Sequence, residues 1–128
     1  MKTNSRSRKG TSLIESAVAA MVLIPIALAI LDLIVVVAAN TMNDTAAKNG
    51  ARAACNQPDQ PHGAQAAQNA LGSFHKSSII TNIDVDLQWT TQTVVCETTI
   101  TVHLPVPFPG FSDLVFKARD VEPVVAEQ

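Results

Sequence analysis

The chain has 128 residues and a formal net charge of -2. That length admits one small domain and one membrane helix and little else, and a soluble core of about 70–80 residues is marginal without a staple or partners. Four of the nine basic residues, Lys2, Arg6, Arg8 and Lys9, fall in the first ten, while the rest of the chain sets five basic residues against all eleven acidic ones. Basic charge confined to the tip, ahead of an apolar run, is a pattern of membrane targeting and not of a nucleic-acid partner.

The basic tip ends in Gly10. Thr11, Ser12, Leu13 and Ile14 follow, and Glu15 is the fifth residue after that glycine. Read alone, Glu15 is an interfacial residue in a first helical turn, favoured there by the helix dipole. Residues 17–39 are apolar except for Asp32, with Pro25 as the only breaker. As a helix this run is about 35 Å long, against a bilayer core of about 30 Å. The basic residues ahead of it, with acidic Asp44 behind, place the N-terminus in the cytoplasm and the bulk of the chain outside the inner membrane. A cleaved secretory signal needs an apolar core of only about 7–15 residues and a small-x-small cleavage site. Ala27-Leu28-Ala29 and Val37-Ala38-Ala39 have that form, but the run is longer and continues without a turn signal into more helical sequence.

One helix is therefore predicted from about Ser12 to near Cys55, kinked at Pro25, which cannot donate to the Met21 carbonyl. An ionised Asp32 at mid-membrane would cost about 2.5–3.5 kcal/mol, and less near the interface. Two readings stand for it: a carboxylate that reaches water, or one that meets a partner helix or assembly platform. Small residues recur at four-residue steps, as Ser12, Ser16 and Ala20, and again as Ala46, Gly50 and Ala54 with Ala47 and Ala51 alongside. Such rows let backbones approach closely. The first row suits packing between subunits in lipid, and the second suits packing on the chain's own sheet.

Residues 56–63 read as a loop and residues 64–74 as a short second helix. The period then changes to two. Ile83, Val85, Leu87 and Trp89 alternate with Asn82, Asp84, Asp86 and Gln88, a half-buried strand. Residues 90–92 make a polar turn, residues 93–104 a second strand, and Pro105, Pro107 and Pro109 with Gly110 end it. Residues 114–125 add a third strand. Cys55 at the helix end and Cys96 in the second strand suggest one disulfide in an oxidising compartment, or two free thiols otherwise. Such a bond would close a loop of about 40 residues, worth about 3–4 kcal/mol in the chain-entropy model. His62, His75 and His103 lack metal-ligand spacing, and Asp84 and Asp86 read as solvated strand residues. No nucleophile–base pair or phosphate loop is present in the sequence, so neither an enzyme nor a metal or cofactor is expected.

Lys9, Gly10 and Glu15 resemble the start of the type IV pilin and pseudopilin superfamily. The register then continues through Asp32 into Ala46-Ala47-Lys48-Asn49-Gly50-Ala51-Arg52, which is similar to the TadE-like family of minor pseudopilins from tight-adherence pilus systems. Residues 9–55 carry the resemblance, and Ala118-Arg119-Asp120-Val121-Glu122 is weakly similar to the end of such domains. The resemblance implies a leader over residues 1–10 removed by a prepilin peptidase after Gly10. It also implies that the freed amine of Thr11 meets the Glu15 carboxylate of a neighbouring subunit. Each buried charge is costly in lipid, and pairing relieves both.

The expected architecture is α+β. A transmembrane helix over residues 11–39 extends into an extracytoplasmic domain over residues 40–128, with a short helix and a two- to three-stranded antiparallel sheet. The implied partners are the prepilin peptidase, other pilin subunits, an inner-membrane assembly platform and the lipid bilayer. The implied role is assembly of an adhesive pilus. The reading from a different class is a tethered or secreted binding domain with no filament role.

Overall fold

The computed structural model describes residues 6–72, 74, 76–108 and 111–125. In chain order it contains α1 (Arg6–Cys55), α2 (Gln60–Leu71), β1 (Ile80–Trp89), β2 (Thr93–Phe108) and β3 (Phe111–Pro123). The strands form one antiparallel sheet in the order β1-β2-β3. The α+β class expected from the sequence is the class observed.

The 50-residue α1 runs through Gly10 and Pro25 without a break. It is long and apolar enough to cross a membrane. Its described side chains from 12 to 31 are all exposed, and burial begins at Asp32. Beyond that point a stripe of Ala39, Asn43, Ala46, Ala47, Gly50, Ala51, Ala54 and Cys55 is buried. Steps of three, four and seven keep that stripe on one helix face. The second row of small residues thus packs inside the domain, as its spacing predicts.

The helix α2 starts four residues before its expected position. Asp59 caps it, its Oδ1 accepting from the His62 amide at 2.9 Å, and Pro61 sits in the first turn. A capping acid with an early proline is a helix start, although the surrounding prolines and glycine read as loop. Gly63 faces Trp89, whose ring occupies the place a β-carbon would take. That absence of a side chain lets α2 lie against the end of β1.

In β1 the alternation holds: Ile83, Val85, Leu87 and Trp89 are half-buried while Asn82, Asp84, Asp86 and Gln88 are exposed. Thr90 closes the turn to β2, its hydroxyl accepting from the Thr93 amide at 2.9 Å. The strand β2 continues past Leu104 to Phe108, through two prolines expected to end it. Its pairing with β1 stops at Val102, and its pairing with β3 is irregular between His103 and Phe108. A proline there removes little from the hydrogen-bond ladder.

Two apolar clusters join helix to sheet. One holds Ala54, Cys55, Ala67 and Val94 with Leu87 and Trp89. The other holds Ala39, Ile100 and Val102 with Ile83 and Phe116. Between them lies a polar pin. Asn43 is fully buried, and its Nδ2 donates to the carbonyls of Thr98 at 3.3 Å and Phe116 at 3.1 Å. The buried Thr98 hydroxyl donates to Asn43 Oδ1 at 2.8 Å.

Substituting Asn43→Ala removes the side-chain donor to the Thr98 and Phe116 carbonyls, leaves the Thr98 hydroxyl only the residue-43 backbone carbonyl at 3.2 Å, and opens a cavity. The full chain in detergent should lose about 2–3 kcal/mol in denaturant unfolding. A loss under about 0.5 kcal/mol, the range of ordinary surface changes, would mean that the pin contributes nothing.

Candidate functional site

The residues singled out by the sequence are spread along α1. Gly10 and Thr11 lie in its first turns, Glu15 is exposed just beyond them, and Asp32 follows 17 residues later. At 1.5 Å per residue, Glu15 and Asp32 are about 25 Å apart along the axis, so they do not form one site. Between them the helix surface is apolar and uncovered, with Val18, Met21, Leu23 and Ile24 all strongly exposed. Residues 12–31 span about 30 Å, the thickness of a bilayer core. The hydroxyl of Ser16 turns back to the Ser12 carbonyl at 2.8 Å, so this polar side chain is satisfied within its own helix.

Asp32 marks the change of surroundings. It is 4 % exposed, and its Oδ1 accepts from the Val106 amide at 3.2 Å. The reading of a carboxylate in water does not describe it, because the β2 backbone at Val106 meets it inside the chain. Its Oδ2 is buried with no hydrogen-bond partner among the described residues. The backbone of β2 therefore reaches down to the level at which burial of α1 begins.

The expected bond between Cys55 and Cys96 is not formed, and both are free, buried thiols. The reason is azimuth. A β-carbon on Gly50 would lie 2.8 Å from Cys96 Sγ, so Cys96 packs on the turn that contains Gly50. Cys55 stands five residues on, about 7.5 Å along the axis and about 140° around it. Its Sγ donates to the Arg52 carbonyl at 3.3 Å. Burial, then the charges of Asp120 and Asp86, push the Cys96 thiol up to about 11. Burial, then Glu122, raise Cys55.

The histidines are paired rather than clustered. His62 Nδ1 lies 2.7 Å from Asp59 Oδ1, and His103 Nδ1 lies 2.8 Å from Asp113 Oδ1. The His62 amide, then its ring, hold the Asp59 carboxyl below the usual carboxylate range. His103, then Ser112, do the same for Asp113. His75 lies outside the described residues. Among the described residues no three acidic, histidine or cysteine groups gather as metal ligands. Asn43 and Thr98 were not legible as a pair. Their only signals were a polar residue within a stripe of small ones and a threonine in the inward register of β2.

No family model, curated protein or solved structure matches this chain.

Two outcomes follow from these environments. The Cys96 thiol is raised in the fold from the ordinary value of 9.0 to about 11. Its contribution to stability is therefore complete below pH 9 and falls away as pH rises toward 11. Maleimide should label neither cysteine of the native chain at pH 7 and both after denaturation without reductant; denatured chain that takes no label would reveal a disulfide. For Asp32→Leu, loss of the Val106 bond is offset by relief of the buried Oδ2. Global stability should shift by about 1 kcal/mol or less, while hydrogen exchange at the Val106 amide quickens. Asp32→Asn keeps an acceptor and should keep that amide slow.

Proposed function

We propose that this chain is a minor pilin or pseudopilin of the TadE-like kind. In this reading it is cleaved after Gly10 by a prepilin peptidase and takes part in assembling a tight-adherence pilus from the bacterial inner membrane. One observation carries the reading. The Gly10–Glu15 motif stands at the foot of a single unbroken helix, whose exposed apolar surface runs from Leu13 through Val37 and overlaps the start of the folded domain at Asp32. A leader ahead of Gly10, a carboxylate at Glu15 and a bilayer-length apolar surface then occur in the order that membrane extraction and stacking of subunits require.

The basic tip sets the N-terminus in the cytoplasm and the sheet outside. The membrane span then ends between Asp32, where burial begins, and Val37, the last strongly exposed apolar residue of the helix. Glu15 is uncovered by its own chain, which leaves its carboxylate available to the Thr11 amine of a neighbour. Ser12, Ser16 and Ala20 are uncovered as well, a strip on which a second helix can approach closely. Asp32 acts within the subunit in this reading, by holding the β2–β3 hairpin against the helix.

The burial of Ala39 disfavours secretory cleavage. Ala39 is 3 % exposed and packs with Ile100 and Val102. A cut there would remove Val35 from the same cluster and expose the core at the cut end. A released binding domain is thus hard to reconcile with a helix that forms one wall of that domain.

The test is the mature N-terminus of the chain made in cells that carry a prepilin peptidase. Intact mass should place it at Thr11, and retention of residues 1–10 would overturn the reading. Gly10→Val should block processing, since a branched side chain cannot enter a subsite shaped for glycine. Glu15→Ala should leave processing intact and lower pilus yield.

A further inference from the structure

The outer face of the sheet carries charge in rows. Pairing sets Asp84 beside Thr99 and Thr99 beside Lys117, and sets Asp86 beside Glu97 and Glu97 beside Arg119. Each row therefore runs from a carboxylate on β1 to a cation on β3. These are the two edge strands, each hydrogen-bonded to β2 alone. Asp84, Asp86, Lys117 and Arg119 are all exposed. Asp84 Oδ1 accepts from the Val85 amide at 3.0 Å, which holds that carboxylate along its strand. Lys117 lies 3.2 Å from Glu97 yet leaves 67 % of its side chain exposed.

We propose that β1 and β3 are the two halves of one interface between copies of this chain. In this contact β3 of one copy lies beside β1 of the next, with Lys117 and Arg119 facing Asp84 and Asp86. The inference deepens the subunit role proposed above and takes from it only the shared direction of the membrane helices.

Three constraints select this contact. The first is direction. Both edge strands are antiparallel to β2, so they run the same way. Copies anchored in one membrane also share one direction. A copy displaced sideways therefore offers β1 parallel to β3. The second is register. Asp84 and Lys117 share one row and Asp86 and Arg119 the next, so unlike charges meet without any stagger between copies. Strands in a sheet are about 4.8 Å apart, within reach of these side chains. The third is repulsion. A two-fold contact would set β1 against β1 or β3 against β3, bringing edges of like charge together with no cation opposite a carboxylate. Only the head-to-tail arrangement matches unlike charges, and such a contact leaves each copy free to take another. Exposed unpaired strand edges are also the surfaces by which sheets join.

The experiment uses the full chain in lipid vesicles, as an equal mixture of ¹⁴N and ¹⁵N protein. A zero-length carbodiimide then couples lysine amines to adjacent carboxylates. Mass spectrometry should find mixed-isotope products joining Lys117 to Asp84 or Asp86. Two variants, Asp84→Lys with Asp86→Lys and Lys117→Asp with Arg119→Asp, should each lose intermolecular product about tenfold when alone. Mixing them should restore the product between Lys117 of the first and Asp84 of the second. Lys117 coupling only to Glu97 of its own chain, or mixing that restores nothing, would overturn the interface. The mature N-terminus is read on cell-made chain of the same variants. Cross-links without processing at Thr11 retire the pilin reading and leave the interface standing, and processing without cross-links does the reverse.

Discussion

One helix carries two kinds of surface here, one bare and apolar and one packed, and the rest of the structure follows from that constraint. Over residues 12–31 nothing in the chain covers α1, and beyond Ser16 its side chains are apolar on every face. In lipid this costs nothing, because lipid tails are as apolar as the side chains themselves. From Asp32 onward the same helix forms one wall of a small domain. Continuity matters to both halves, since a break within the apolar stretch would leave backbone groups unpaired in lipid.

The second half packs by closeness rather than by bulk. Its buried face is mostly alanine with Gly50, and larger groups come from the strands as Val94, Ile100 and Val102. Small side chains bring the helix backbone near the sheet, to the point where Cys96 Sγ fills the space a β-carbon on Gly50 would need. Gly50 weakens an isolated helix by about 1 kcal/mol relative to alanine, and the tight contact offsets that. Alanine burial alone fixes register poorly, because one small residue resembles the next. Asn43 supplies what is missing. Its bonds to Thr98 and Phe116 tie it to two neighbouring strands, so a slide of one helical turn would bury all of these groups unpaired.

Local signals carried much of this into the sequence. The strict alternation from Asn82 to Trp89 announces a strand with one face inward, and the row Ala46, Gly50, Ala54 announces a close-packed helix face. What stayed hidden was local chemistry with competing cues, or geometry between distant elements. Asp59 and Pro61 start α2, yet the same residues fit a loop. Pro105 and Pro107 read as strand terminators because nothing local shows that β1 has already stopped pairing. The Cys55–Cys96 bond was inferred from location and compartment, but a disulfide depends on azimuth, and Cys96 meets the turn of Gly50 instead. The cover over Asp32 is a contact across 74 residues, which no periodicity can express.

Joining span and domain in one helix has a mechanical consequence. The domain has no hinge of its own above the bilayer, because residues 32–55 are helix and core wall together. Force applied to the span passes to the sheet through the Asp32–Val106 bond first and the Asn43 pin about 16 Å further along. The domain therefore cannot be cut between Asp32 and the pin without opening its own core, and it cannot tilt freely against its anchor. Lateral placement of the helix fixes the orientation of the sheet and of both its edges. Copies anchored by this helix in one membrane would share the direction of their strands, a geometry that a flexible tether between span and domain would lose.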